Sequence, residues 1–148
     1  MVNIIDANTV SRAKALALKA HAHQVDKAGR PYTDHVARVA AAVAGNYRAE
    51  AVAWLHDVLE DCPAYASEVN TFPVAIVDAV RLLTRTRSTP TETYYDRIRT
   101  SPVALAVKRA DLDDNADPDR LALLPEHIAT RLSAKYQHAR RALELDAS

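Results

Sequence analysis

Apolar residues recur every three to four positions along most of the chain, which is the pattern of amphipathic helices. The segment 8–27 places its apolar residues on one helical face: Val10, Ala13, Ala17 and Ala20. Asn8 or Thr9 can cap its start, and Gly29-Arg30-Pro31 is expected to end it. A second helix is predicted to begin at a Thr33 or Asp34 cap and to stop at Gly45-Asn46.

The third predicted helix, 46–61, is nearly all apolar on one side and is therefore expected to lie at the centre of the fold. After residue 61, apolar residues at helical spacing predict four more helices. They are a short one over about 64–71, one that begins at Pro73, one over Glu92–Arg99, and one that Ser101-Pro102 caps and that ends at the Asp117-Pro118 break. A last helix runs from about Pro125 to Leu145. The polar, basic segment 84–91 is predicted to be a loop, either a solvated one or one that closes over a bound phosphate. This series predicts an all-α bundle forming one domain over residues 1–148.

Composition narrows the class of protein. Lys plus Arg and Asp plus Glu both number 19, so the net charge gives no reason to expect a nucleic acid or an acidic membrane as partner. A single cysteine, Cys62, excludes an internal disulfide and suits a reducing compartment. With no apolar run of membrane length and no signal-peptide core, a cytoplasmic protein is expected. The oligomeric state stays open.

Four ionisable residues interrupt the apolar third helix: His56-Asp57, and one turn later Glu60-Asp61. On a continuous helix His56 and Glu60 would share one ridge and Asp57 and Asp61 the next. Buried carboxylates cost several kcal/mol unless they are paired or coordinated. A bound metal ion is the simplest explanation for such a cluster.

Two further segments supply potential ligands, His35 and Asp111. Taken alone, a histidine on an apolar face is more often a core residue, and an acidic run at a helix end is usually solvated. Together with His56-Asp57 they form a mixed nitrogen and oxygen set that suits Mn²⁺ or Fe²⁺. Glu60 and Asp61 would then orient a water or move its proton. Asn115, four residues after Asp111, would share its helical face.

The blocks that carry these residues have a specific order and spacing. They read His21-x-x-Gln24-x-Asp26-Lys27-Ala28-Gly29-x-Pro31-Tyr32-x-x-His35, Ala53-Trp54-Leu55-His56-Asp57-x-x-Glu60-Asp61, Phe72-Pro73, Leu83-Thr84-Arg85 and Val107-Lys108-x-Ala110-Asp111-Leu112-x-Asp114-Asn115. This pattern resembles the HD-domain phosphohydrolases of the RelA/SpoT hydrolase type, especially the small alarmone hydrolases and the metazoan SpoT homologue. The resemblance extends from residue 9 to about residue 140.

The resemblance implies an all-helical HD domain with Mn²⁺ held by four residues: His35, His56, Asp57 and Asp111. It implies that Glu60 and Asp61 assist the attacking water. It also implies a substrate, guanosine tetra- or pentaphosphate, from whose 3′ position pyrophosphate is removed. Cations available for the polyphosphate are Lys27, Arg85, Arg87, Arg97 and Lys108. Of these Lys27 matches the family block, and Asn115 is a further substrate-binding candidate.

Two positions depart from the family pattern. Asp26 stands where the family commonly has an arginine that lies against the guanine ring, so a charge contact is missing and phosphate is expected to be repelled. Val36 replaces the usual proline after the metal histidine, which affects only a helix start. Asp26 favours the alternative of a phosphohydrolase acting on another nucleotide or phosphate ester. A non-catalytic nucleotide-binding module is the third hypothesis, against which the complete set of metal and acid-base positions argues.

Overall fold

The computed structural model describes residues 4–145, and the regular structure in this range is helical. The α-helices are α1 Ala7–Ala20, α2 Tyr32–Ala42, α3 Tyr47–Leu55, α4 Val58–Asp61, α5 Ala66–Val69, α6 Val74–Leu83, α7 Thr91–Arg99, α8 Pro102–Asn115, α9 Pro118–Leu121 and α10 Glu126–Ala142. A 3-10 turn, Pro63–Tyr65, precedes α5. The only β-type pairing between residues 4 and 145 is one isolated bridge, Val25 with Pro31. The predicted all-α class is confirmed.

Side-chain caps determine where several helices begin. Asp6 caps α1 by accepting the backbone N–H of Thr9, whose hydroxyl in turn accepts the Asp6 N–H. The prediction that Asn8 or Thr9 would be the cap was wrong, because both lie inside the helix. Asn46 caps α3 and Ser101 caps α8, the latter as predicted.

The first predicted helix is too long at its C-terminal end. It ends at Ala20, and residues 21–31 form a turn and a loop. The loop is closed by the Tyr32 N–H, which donates to the Gln24 carbonyl at 2.9 Å, and Gly29 adopts a φ of +81° that favours glycine. The next helix therefore starts at Tyr32 after Pro31, earlier than the Thr33 or Asp34 cap that the sequence suggested.

The third predicted helix is broken in the middle of its charged motif. α3 ends at Leu55, α4 starts at Val58, and His56 and Asp57 lie between them. The Ala53 carbonyl, which a continuous helix would pair with the Asp57 N–H, instead accepts the Nδ1–H of His56 at 2.6 Å. The expectation of two shared ridges on one continuous helix was wrong for this reason.

Helix α3 lies at the centre of the fold, as predicted, and packs against α1, α2, α6 and α8. Buried alanines on α1 and α3 permit close packing of these two helices: Ala13, Ala17, Ala51 and Ala53. The C-terminal end of α3, where His56 stands, is thereby surrounded by other helices.

The remaining elements follow the predicted order with shifted ends. Residues 84–90 are a loop and α7 begins at Thr91, one residue earlier than expected. The four-residue α9 was not predicted, and α10 ends at Ala142 rather than Leu145. Within residues 4–145 no helix combines the length and apolarity needed to cross a bilayer.

Candidate metal centre

Four side chains from three separate parts of the chain meet beside the end of α3. They are the predicted ligands His35, His56, Asp57 and Asp111, and one potential ligand atom from each lies within 4.8 Å of all the others. His35 comes from α2, His56 and Asp57 from the break after α3, and Asp111 from α8. The break lets two adjacent residues turn their side chains towards one point, which a straight helix would separate by about 100°.

His56 presents its Nε2 atom to this cluster. Its Nδ1 must carry the proton, because the Ala53 carbonyl can only accept. Nε2 is buried and has no hydrogen-bond partner among residues 4–145, although it lies 3.1 Å from Asp57 Oδ2 and 3.4 Å from Asp111 Oδ1. A buried, unpaired nitrogen facing two carboxylates is a suitable ligand atom for a cation.

His35 also presents Nε2, and a carboxylate sets its orientation. Asp114 Oδ2 accepts from His35 Nδ1 at 2.7 Å, which leaves Nε2 facing Asp111 Oδ1 at 3.0 Å. Asp114 in turn accepts from Arg38 and from Arg120. Arg120 Nη1 also lies 3.4 Å from His35 Nδ1, but two donors cannot hydrogen-bond to each other.

The carboxylate of Asp111 is supported from its own helix. Lys108 Nζ and Asn115 Nδ2 each donate to it at 3.2 Å, as their spacing of three and four residues allows. Burial by itself would raise the pKa of Asp111, but Lys108 and the two histidines hold it well below the usual range. The carboxylate therefore stays ionised.

Asp57 accepts a short hydrogen bond from the Tyr32 hydroxyl, and the pKa of Asp57 is lowered because His56 outweighs the effect of burial. Burial lowers the pKa of His56, yet the carboxylates of Asp57 and Asp111 raise it well above its ordinary value. Two imidazoles and two ionised carboxylates form a site that could hold a divalent metal.

Glu60 and Asp61 extend from α4 at the edge of this cluster. Glu60 Oε1 accepts the backbone N–H of Arg85 at 2.7 Å, and Asp61 Oδ2 accepts from Gln24 Nε2 at 3.0 Å. Partial burial is the main cause that raises the pKa of both carboxyl groups, and the charge of Asp57 adds to it. Neither side chain belongs to the ligand cluster.

Three of the four cluster residues, His56, Asp57 and Asp111, line a cavity of about 400 Å³. Four of the six candidates for substrate binding line it: Lys27, Arg85, Lys108 and Asn115. Arg87 and Arg97 are not among the lining residues. Charge repulsion from Lys27, Lys108 and Arg85 adds to partial burial in lowering the pKa of Lys135, which lines the same cavity. The pocket is therefore lined by both basic and acidic side chains.

Sequence reasoning missed several residues of the site. Asp114 lies three residues after Asp111, so helical spacing could have indicated it. Lys135 and Tyr136 lie on α10 with no motif around them. Arg120 pairs with Asp26 across 94 positions, and no local pattern signals such a pair.

Asp26 lines the cavity, but its carboxylate faces its own loop and Arg120. Oδ1 accepts the N–H groups of Ala28 and Arg30, both at 2.9 Å, and Oδ2 accepts from Arg120 Nη2 at 3.0 Å. These bonds lower its pKa despite partial burial. Its negative charge is thus balanced within the protein, which the sequence-based expectation of phosphate repulsion did not consider.

No protein-family model matches the chain, and no curated protein matches it significantly in sequence. A solved structure does match, with a TM-score of 0.76 and 20% sequence identity over 95% of this chain and 88% of the other. It is described as a metazoan ortholog of SpoT that hydrolyzes ppGpp and plays a role in starvation responses. The chain therefore has the helical fold of that SpoT ortholog, as the resemblance in sequence predicted, with a buried His-His-Asp-Asp cluster beside its cavity.

Proposed function

We propose that the chain is a Mn²⁺-dependent phosphohydrolase that removes pyrophosphate from the 3′ position of guanosine tetra- or pentaphosphate. The observation that carries the proposal is the group of four candidate ligands within 4.8 Å of one another, three of which line a cavity that also contains Lys27, Arg85 and Lys108. The fold shared with a protein that hydrolyzes ppGpp supports this choice of substrate.

The metal would be held by His35 Nε2, His56 Nε2 and the carboxylates of Asp57 and Asp111. When bound, such an ion lowers the pKa of a coordinated water and neutralises charge on a phosphoryl oxygen. Asp114 and the Ala53 carbonyl keep both histidines oriented with Nε2 inwards. Tyr32 and Lys108 fix the two carboxylates.

Glu60 and Asp61 are proposed to act as the general acid and base, accepting and donating protons. Both carboxyl groups have raised pKa values, which brings them closer to the pH at which a side chain can both accept and donate a proton. Glu60 is held by the backbone of Arg85 and Asp61 by Gln24, so each keeps one oxygen for a water or a leaving group.

Lys27, Arg85 and Lys108 are proposed to bind the pyrophosphate group. Arginine can form two parallel hydrogen bonds to phosphate, whereas lysine acts as a mobile point charge. Asn115 already donates to Asp111, so its Nδ2 atom supports a ligand. Its proposed contact with substrate would be additional.

The test is to incubate purified protein with Mn²⁺ and a panel of nucleotides and to measure release of pyrophosphate and phosphate. Guanosine tetraphosphate should yield pyrophosphate, and chelation should abolish the reaction. His56→Ala and Asp57→Ala should lose both metal binding and turnover. Full activity after chelation and dialysis would refute a metal-dependent hydrolase.

A second candidate is a phosphohydrolase of the same metal chemistry that acts on another nucleotide or phosphate ester. Asp26 favours it, because it stands where the family commonly has the arginine that lies against the guanine ring. Phosphate release from a different member of the panel would select this candidate. Binding without any turnover would instead indicate a nucleotide-binding module.

A further inference from the structure

The loop from Gln24 to Tyr32 is attached to the site at both of its ends. Gln24 donates to Asp61 at 3.0 Å, and the Tyr32 hydroxyl donates to Asp57. Lys27 lies between these ends and lines the cavity. The position of its ammonium group therefore depends on how the middle of the loop is held.

The middle of the loop is organised by Asp26. Besides the two N–H groups bound by its carboxylate, its own N–H donates to the Arg30 carbonyl at 2.8 Å. The side chain is only 9% exposed. Asp26 is thus the internal support of the turn that presents Lys27.

Arg120 connects this turn to the metal centre. Its Nη2 donates to Asp26, while Nη1 donates to Asp114 Oδ2 at 2.8 Å and to Asn115 Oδ1 at 3.1 Å. Asp114 orients His35, and Asn115 supports Asp111. One guanidinium therefore bridges the loop to residues that hold two of the four ligands.

Arg38 offers an internal comparison. It also donates to Asp114, through Nε at 2.7 Å, but its side chain is 48% exposed and its hydrogen bonds go to Asp114 rather than to the loop. Removing either arginine takes a positive charge from Asp114. Only the loss of Arg120 also releases Asp26.

We propose that Asp26 and Arg120 form an ion pair that positions the 24–32 loop so that Lys27 faces an anionic substrate. This proposal rests on the proposed function only for the phosphate nature of that substrate. Asp26 is then a positioning residue that raises affinity for phosphate through Arg120 and Lys27. The acidic residue at this position favours phosphate binding instead of opposing it.

The experiment compares wild type with Asp26→Asn, Arg120→Gln, the double variant and Arg38→Gln as matched control. Asp26→Asn keeps an oxygen for the loop N–H groups and removes the charge that pairs with Arg120. Amide hydrogen exchange of the 24–32 segment reports the order of the loop. Calorimetry with Mn²⁺ and inorganic pyrophosphate reports affinity, and steady-state assays separate KM from kcat.

Each single variant should speed exchange in 24–32 and weaken pyrophosphate binding about tenfold, the usual scale for losing one charge-assisted hydrogen bond. KM should rise with little change in kcat, because Arg38 still supports Asp114. The double variant should be no worse than either single variant, since the pair acts as a unit. Arg120→Lys keeps the charge but not the fork of the guanidinium and should give intermediate values. Arg38→Gln should leave amide exchange in 24–32 at the wild-type rate, because Arg38 does not bind the loop.

Additive effects of the two single changes would overturn the proposal. So would equal loosening in Arg38→Gln, or a looser loop with unchanged affinity for pyrophosphate. The exchange measurements need no turnover, so they decide the coupling of Asp26 to Arg120 even if guanosine tetraphosphate is not a substrate. Failure of the proposed function is recognised separately, as a wild type that releases no pyrophosphate.

Discussion

Asp114 lies outside the ligand cluster, but its carboxylate contributes to the stability of the fold. It accepts from His35, Arg38 and Arg120, and these donors outweigh burial so that its pKa is lowered to about 2. A carboxylate with a lowered pKa contributes stability above its unfolded-state value, here 3.8, and loses it as pH falls through the folded-state value. Its contribution is therefore complete at neutral pH and lost between about pH 4 and pH 2.

Asp114→Asn should accordingly lower the free energy of unfolding by about 2 kcal/mol at pH 7, the equivalent of the shift in pKa. The difference from wild type should shrink as pH drops from 4 to 2. Urea unfolding of the metal-free protein across this range measures it. A difference that stays constant down to pH 2 would show that Asp114 contributes through something other than its charge.

Glu60 allows the proton-transfer role to be separated from metal binding. Glu60→Gln keeps an oxygen for the Arg85 N–H but cannot exchange a proton. We expect unchanged Mn²⁺ affinity and a kcat lower by about 100-fold or more, the range typical of general acid-base groups. Glu68→Gln is a suitable control, because Glu68 pairs with Lys19 away from the cavity. A kcat near wild type in Glu60→Gln would show that the acid-base assignment is wrong.

At the scale of elements, α8 combines a cap at one end with the site at the other. Ser101 Oγ accepts the Ala104 N–H at 3.1 Å, whereas Lys108, Asp111 and Asn115 occupy later turns. Ser101→Ala should cost about 1 kcal/mol of stability, as lost N-caps do. Metal affinity, measured by Mn²⁺ titration, should stay unchanged. A tenfold loss of affinity would mean that the helix start controls the ligand, and Ser101→Asn should restore the stability.

The sequence predicts which segments are helical better than it predicts the residues at which the helices begin and end. Periodicity identifies the long helices, and residues such as Ser101 locate a start correctly because capping is a local interaction. The break after α3 escapes prediction because the His56 side chain takes the Ala53 carbonyl, an arrangement tied to the ligand cluster. The loop before Tyr32 escapes it because partners distant in sequence, Asp57, Asp61 and Arg120, hold that loop.

The residues of the candidate metal cluster could be predicted because their types and order are specific. All four are histidine or aspartate, and three of them, His35, His56 and Asp111, are buried, where such groups are costly without a partner. Residues that act through long-range pairing, Arg120 above all, carry no such signal. Their contribution becomes visible only when α9 and the 24–32 loop are seen together.

At the scale of the whole molecule, the candidate metal cluster brings together side chains from α2, the break after α3, and α8. A metal that binds only the folded state stabilises it by about 2.7 kcal/mol at a concentration 100 times the Kd. For a chain of this size Mn²⁺ should therefore raise Tm by about 5–10 °C. Thermal unfolding with Mn²⁺ and with chelator measures the shift. Asp57→Asn should abolish it, and an equal shift in that variant would place the stabilising ion elsewhere.

The two histidines of the cluster differ in how easily a mutation can change their tautomer. The tautomer of His35 depends on a side chain, so a single substitution at Asp114 can change it. The tautomer of His56 depends on a main-chain carbonyl at the end of α3, which every residue type at position 53 would still provide. In a saturation library, substitutions of Asp114 should therefore disturb His35. His56 should instead be disturbed by substitutions that change the packing around the break after α3. The orientation of His56 should therefore tolerate substitutions at position 53, whereas the orientation of His35 can be altered by substitution of Asp114.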